Sequence, residues 1–199
     1  MLSVRKVAVT GGLASGKSTV CRLFRECGAH TVSADEIVHQ LLTPSTDLGK
    51  QVVALLGSEI VSGNRIDRQK IAEKVFTNPA LLRALESLTH PAVKEEINRQ
   101  YELVKQKAPL FVAEVPLLFE VGADAGFDAT IAVASDESHC LERAAKAGLG
   151  IQQFKQRMAR QLPMAEKQQR ADYVLTNNSD LEQLKKAVEK LFHQLTTLS

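Results

Sequence analysis

Eight consecutive residues near the start of the chain have the types and spacing to hold phosphate. Gly11-Gly12-Leu13-Ala14-Ser15-Gly16-Lys17-Ser18 fits Gly-x-x-x-x-Gly-Lys-Ser/Thr without a gap. The chemistry needs each fixed position. Glycines let the backbone fold around phosphates with its N–H groups pointing inward. A helix starting near Lys17 aims the positive end of its dipole at them. Lys17 can reach the β- and γ-phosphate oxygens, and the Ser18 hydroxyl can bind Mg²⁺. Average residue frequencies give such a match by chance in roughly 1 in 100 chains of this length, so the loop carries weight by itself. It points to nucleoside triphosphate binding and leaves the acceptor open, because kinases, GTPases, motors and switches all use it. A GTPase also needs a guanine-reading Asn-Lys-x-Asp stretch, and none is present.

Two acids have positions suited to phosphoryl transfer. Asp35 follows the second strand candidate, at the sheet edge where open α/β folds bind ligands. A carboxylate there can take the proton of an acceptor hydroxyl. Ser33 and Glu36 also make a capping box around it, so a helix-start role competes with the catalytic one. Glu114 ends another strand candidate and could orient Mg²⁺ through water. Cations concentrate further on. Between Cys140 and Arg170 there are Arg143, Lys146, Lys155, Arg157, Arg160, Lys167 and Arg170 against Glu142 and Glu166. That stretch is net +5, which leaves the rest of the chain at −3. Arg143 with Lys146, and Arg157 with Arg160, share helix faces. A basic helical pair of this kind can close over a triphosphate and offset transition-state charge, or be an ordinary solvated face.

The elements that must position these groups follow from periodicity. Residues 6–10 form a β-branched run stopped by glycines, as a buried strand does. Val20, Leu23, Phe24 and Cys27 recur at helical spacing, with Gly28 as the stop. His30–Ser33 is a second strand candidate, followed by a helix carrying Ile37, Val38, Leu41 and Leu42. From 44 to 107 the pattern is almost wholly helical, punctuated at Gly63-Asn64 and Asn78-Pro79. Strand character returns at 110–115, 129–133 and 173–176. A helical block at 137–161 breaks at Gly148-Leu149-Gly150, and Leu181, Leu184, Val188, Leu191, Phe192 and Leu195 mark a closing helix. Alternating strands and helices predict an α/β fold with a parallel five-stranded sheet covered on both faces.

Composition narrows the class. The chain has 199 residues, 25 Lys and Arg against 23 Asp and Glu, and 44% hydrophobic residues. That suits one core with an insertion. Near-neutrality argues against a general nucleic-acid coat protein. The apolar runs fall short of the roughly 18 residues that span a bilayer, so no membrane partner is expected. Cys21, Cys27 and Cys140 are scattered and odd in number, without metal-ligand spacing. With no export signal, they read as reduced thiols in a cytoplasmic protein.

Over nearly its whole length the chain resembles the dephospho-CoA kinase family, P-loop small-molecule kinases. The likeness runs through Thr10 to Val20, Ala34-Asp35-x-Ile37-Val38, Ile66-Asp67-Arg68, Val75-Phe76, His90-Pro91, Val115-Pro116-Leu117-Leu118-Phe119-Glu120, Arg157-x-x-x-Gln161 and Ala171-Asp172-x-Val174-x-x-Asn177. The resemblance implies Mg²⁺-dependent transfer of the ATP γ-phosphoryl group to the 3′-hydroxyl of dephospho-CoA. It implies a core at 1–43, 108–139 and 171–199, an inserted helical CoA-binding subdomain at 44–107 and a helical lid at 140–170. It implies ATP binding by Gly12, Leu13, Ala14, Ser15, Gly16, Lys17, Ser18, Thr19, Arg143 and Arg157. Asp35 is implied as general base, with Lys17 and Arg143 also catalytic and Ser18 at the metal. Arg68, His90, Leu117 and Leu118 are implied on the acceptor side with Asp35. Two positions depart from the family pattern. Ser33 stands where an acid is usual, and Ala147, beside Lys146, where an Arg is usual. A kinase of the same layout for a nucleoside monophosphate or another small alcohol, and a non-catalytic nucleotide switch, are the alternative readings.

Overall fold

The structure, a computed structural model, describes residues 4–76 and 78–197. The outermost residues of the expected core, 1–3 and 198–199, and Thr77 of the expected insertion lie outside the described residues. The chain opens with β1 (Lys6–Gly11), α1 (Lys17–Glu26), β2 (His30–Ser33), α2 (Ala34–Leu41) and α3 (Asp47–Leu56). A short antiparallel hairpin follows, β3 (Val61–Ser62) and β4 (Arg65–Ile66), then α4 (Arg68–Phe76) and the long α5 (Pro79–Val104). The remainder is β5 (Phe111–Glu114), β6 (Ala129–Ala134), α6 (Glu137–Lys146), α7 (Ile151–Met158), α8 (Met164–Arg170), β7 (Tyr173–Thr176) and α9 (Leu181–Thr197).

The five longer strands form one sheet in the order β2-β5-β1-β6-β7, and every neighbouring pair is parallel. The α/β fold with a five-stranded parallel sheet expected from the strand–helix alternation is the one found. Side chains alternate across β1 as the period of two requires. Val7 and Val9 pack with Val20, Leu23 and Phe24 of α1 and with Leu184, Val188, Leu191 and Leu195 of α9. Ala8 sits in a separate cluster with Leu118 and Phe119. Val7, Val9, Phe24 and Ile131 are fully buried, and each contributes about 1.5–3 kcal/mol of transfer free energy.

By packing, the chain divides into two compact units. One comprises the residues up to Ser33 and from Tyr101 onward; the other is Ala34–Gln100. The second unit has its own core, with Leu42, Leu48, Val52, Leu56, Ile60, Ile66, Ile71 and Val75 buried together. The hairpin inside it corrects the reading of 44–107 as almost wholly helical. Two-residue strands are too short to show a period, so only the turn at Gly63-Asn64 was legible. Asn78-Pro79 starts α5 rather than merely interrupting a helix. Asn78 Oδ1 accepts from the N–H groups of Ala80 and Leu81 at 3.1 and 3.2 Å, and Pro79 occupies the first turn, where its missing N–H costs nothing. Among the described residues no helix is long and apolar enough to cross a membrane.

Candidate active site

β1 delivers the loop. Its last pairings set Val9 opposite Glu114 and Gly11 opposite Val133. A Cβ on Gly11 would lie 2.4 Å from the Val133 carbonyl oxygen, and one on Gly16 would lie 2.1 Å from Asn177 Nδ2. Gly16 also has φ of +101°, a region that favours glycine. Ala14 adopts φ of +58° without that excuse, at a cost of roughly 1–2 kcal/mol. Packing holds it there: Leu13 and Ala14 lie against Cys140, Ala144, Phe154 and Met158.

α1 starts at Lys17 with no side-chain cap and no acid in its first turn. The start of α1 thus carries no capping side chain or acid of its own, and a helix N-terminus favours an anion. Ser15 Oγ is buried with no hydrogen-bond partner. Lys17 is buried and its ammonium folds back to donate to the Gly12 carbonyl at 2.9 Å. Ser18 Oγ donates to Glu114 Oε1 at 3.1 Å. Burial, and after it the charge of Glu114, push the Cys21 thiol far above its ordinary range, while Lys17 pulls it the other way. Cys21 is thus an inert wall of α1.

Mg²⁺ fits this donor set. No group of three or more His, Cys, Asp or Glu residues suited to a metal occurs among the described residues. A serine hydroxyl and one carboxylate, completed by water and phosphate oxygens, are what Mg²⁺ takes at nucleotide sites. The same arrangement is poor for a metal that needs an all-protein cage.

Arg143, from α6, points at the loop's own backbone. Its Nη2 donates to the Asn177 carbonyl at 2.8 Å, and Nη1 donates to Ser135 Oγ at 3.1 Å. Nη1 also lies 3.4 and 3.5 Å from the carbonyls of Ser15 and Ala14. Asn177 completes the brace, its Nδ2 donating to the Ser15 carbonyl at 2.8 Å and its N–H to the Ala134 carbonyl at 2.8 Å. Sequence reasoning gave Asn177 no role in the site. The available signal was a polar residue directly after a strand, where the tip of β7 lies beside that of β6.

The other cations of the basic stretch scatter in role. Lys155, Arg157 and Arg160 are exposed on or just after α7. Lys146, beside the missing arginine, forms an exposed pair with Glu142 at 2.6 Å, which holds that carboxyl below its usual range. Lys167 is fully buried, donating to the Pro116 carbonyl at 2.9 Å and pairing with Glu120 at 2.8 Å. Arg170 stacks on Phe119 at 4.6 Å. Leu117 is half-buried, but Leu118 is fully buried and its side chain serves the core rather than a ligand-facing wall. In the second unit, Asp35 is exposed in the first turn of α2, Arg68 is exposed at the start of α4, and His90 is exposed in α5 just before Pro91. The structure thus gathers residues 12–19, Glu114, Arg143 and Asn177 in one place, while Arg157 is exposed on α7. Asp35, Arg68 and His90 belong to the other unit.

A parallel sheet whose central strand runs into this loop, with a helix opening at Lys17, defines a P-loop nucleotide-binding protein. Comparison with known proteins narrows the class. Residues 5–183 match the family model for dephospho-CoA kinase. A dephospho-CoA kinase of Protochlamydia amoebophila is 46% identical over 199 residues, covering 98% of each chain. Among solved structures, a Thermus thermophilus protein superposes with a TM-score of 0.84 at 33% identity, covering 98% of this chain and 99% of that one. A dephospho-CoA kinase from Campylobacter jejuni gives 0.72 at 25% identity, covering 96% and 97%. The chain belongs to the dephospho-CoA kinase family.

Proposed function

We propose that this protein transfers the γ-phosphoryl group of ATP to the 3′-hydroxyl of dephospho-CoA, giving coenzyme A and ADP, the last step of coenzyme A biosynthesis. Family membership together with the intact phosphate loop carries this reading. The N–H groups of the loop and of the first turn of α1 bind the phosphates, and the Lys17 ammonium offsets charge on the β- and γ-oxygens. Ser15 Oγ, unpartnered in the loop, is a further donor for a phosphate oxygen. Ser18 and Glu114 would hold Mg²⁺, which would supply charge neutralisation to the phosphates when bound. Arg143 and Asn177 keep the loop in its strained shape through its carbonyls.

Asp35 takes the proton of the acceptor hydroxyl. Support for this role is its exposure in the first turn of the helix that continues directly from β2, a sheet strand whose Ser33 pairs with Glu114. Residues 44–107 serve as the CoA-binding insertion, with Arg68, His90 and Leu117 as acceptor contacts. Residues 140–170 serve as the lid, with Arg157 directed to ATP. The protein works in the cytoplasm on these two small molecules.

An ADP-release assay with a panel of acceptors tests this. Dephospho-CoA should give stoichiometric, Mg²⁺-dependent ADP. Turnover only with a nucleoside monophosphate or another alcohol would replace the acceptor assignment. Tight nucleotide binding with no ADP from any acceptor would replace the enzyme by a switch.

A further inference from the structure

Lys167 presents a problem of cost. It is fully buried, on a short helix, and nothing in the phosphate chemistry just described uses it. A buried ion pair is a poor means of stabilisation, because well-packed apolar residues do as well or better. Its partner is not fully satisfied either. Glu120 Oε1 accepts from Lys167 and from the Leu162 N–H at 2.9 Å, while Oε2 is buried without a partner. The second bond of Lys167 is the informative one. The Pro116 carbonyl receives both the Lys167 ammonium at 2.9 Å and the Thr10 hydroxyl at 3.1 Å. Thr10 immediately precedes the phosphate loop, and Pro116 lies two residues after Glu114. The intervening Val115 N–H is bonded to the Val9 carbonyl at 2.9 Å, and the proline ring fixes its own φ. The backbone on the exit side of Glu114 is therefore pinned at both ends to β1.

We propose that Lys167 is a positioning residue: by holding the Pro116 carbonyl it fixes the Glu114 carboxylate against Ser18, and so sets the metal side of the phosphate site. Glu120 then neutralises a lysine that is needed for another purpose. This rests on the reading of Ser18 and Glu114 as the groups that hold Mg²⁺.

The test uses two variants of the full chain, Lys167→Met and Lys167→Met with Glu120→Leu, and titrates each with a fluorescent ATP analogue with and without Mg²⁺. Losing one partner of the buried pair should lower Tm by on the order of 10 °C, and removing both should restore most of it. In both variants, measured well below Tm, the Mg²⁺-dependent tightening of nucleotide binding should shrink by about tenfold, the size expected when a group orienting a metal ligand is lost. Metal-free affinity should stay close to wild type. A restored double variant with wild-type Mg²⁺ dependence would overturn the proposal, leaving Lys167 as a packing element. Wild-type protein with no Mg²⁺-dependent tightening would overturn the metal reading beneath it, and the proposal with it. Neither readout involves turnover, so failure of the acceptor assignment would show separately in the ADP assay.

Discussion

Arg157 and Lys167 belong to the same basic stretch and have opposite fates. Arg157 stands exposed on α7, while Lys167 is sealed in the core against Glu120 and the Pro116 carbonyl. Arg143 is a third case, half-buried and spent on the carbonyls of the phosphate loop and Asn177. A net charge of +5 over 31 residues therefore does not describe one electrostatic surface. Lys155 and Arg157 are exposed on α7, where an incoming triphosphate can reach them. Arg143 of α6 and Lys167 of α8 hold the site's backbone in place, where the low dielectric makes each bond count for more. Counting charges finds the region; only tertiary contacts say which charges act on a ligand.

The comparison can be broken or sharpened by substitution. The largest effect should come from outside the basic stretch. Asp35→Asn should lower kcat by roughly 10² to 10⁴, the range for loss of a general base, with ATP affinity unchanged. A rate near wild type would make Asp35 a helix-start residue only. Lys17→Met removes a donor aimed at developing charge and should lower kcat by roughly 10² to 10³.

Within the basic stretch, Arg143→Met should act through the loop. Losing a charged donor to the carbonyls of Ser15 and Asn177 should lower stability by about 1.5–3 kcal/mol and weaken ATP binding together. Arg157→Ala should separate these effects, cutting kcat/KM for ATP by about tenfold, or about 1.4 kcal/mol, with Tm unmoved. If Arg157→Ala lowers Tm as much as Arg143→Met does, the division into anchoring and ligand-facing cations fails.

The smallest effect concerns the thiols. Burial first, then the charge of Glu114, raises Cys21, and burial raises Cys140. A raised thiol stays protonated and unreactive as pH rises through its ordinary range. Near pH 8 in the folded protein, a thiol reagent should label the half-exposed Cys27 first, and Cys21 and Cys140 only on unfolding.

Much of this was legible before any coordinates. The phosphate loop is a local pattern, since each residue's role is set by neighbours within eight positions. The long strands and helices carried a period that survives in the fold. The hairpin at Gly63-Asn64 carried none. The roles of Arg143, Asn177 and Lys167 depend on partners 34 to 162 residues away, and a lysine on a helix reads the same whether its ammonium meets water or a carbonyl. Leu118 shows the reverse error. It lies in a motif associated with the acceptor, but the turn after β5 buries its side chain with Ala8 and Phe119.

The central claim is that the grip on ATP built by Gly12 to Thr19 serves transfer to one particular hydroxyl. Phosphorus NMR of the product formed from ATP and dephospho-CoA tests it most directly. The account predicts a new phosphomonoester coupled to the ribose 3′ proton, in amounts equal to the ADP released. ADP formed without that resonance, or a phosphate on any other hydroxyl, would contradict it.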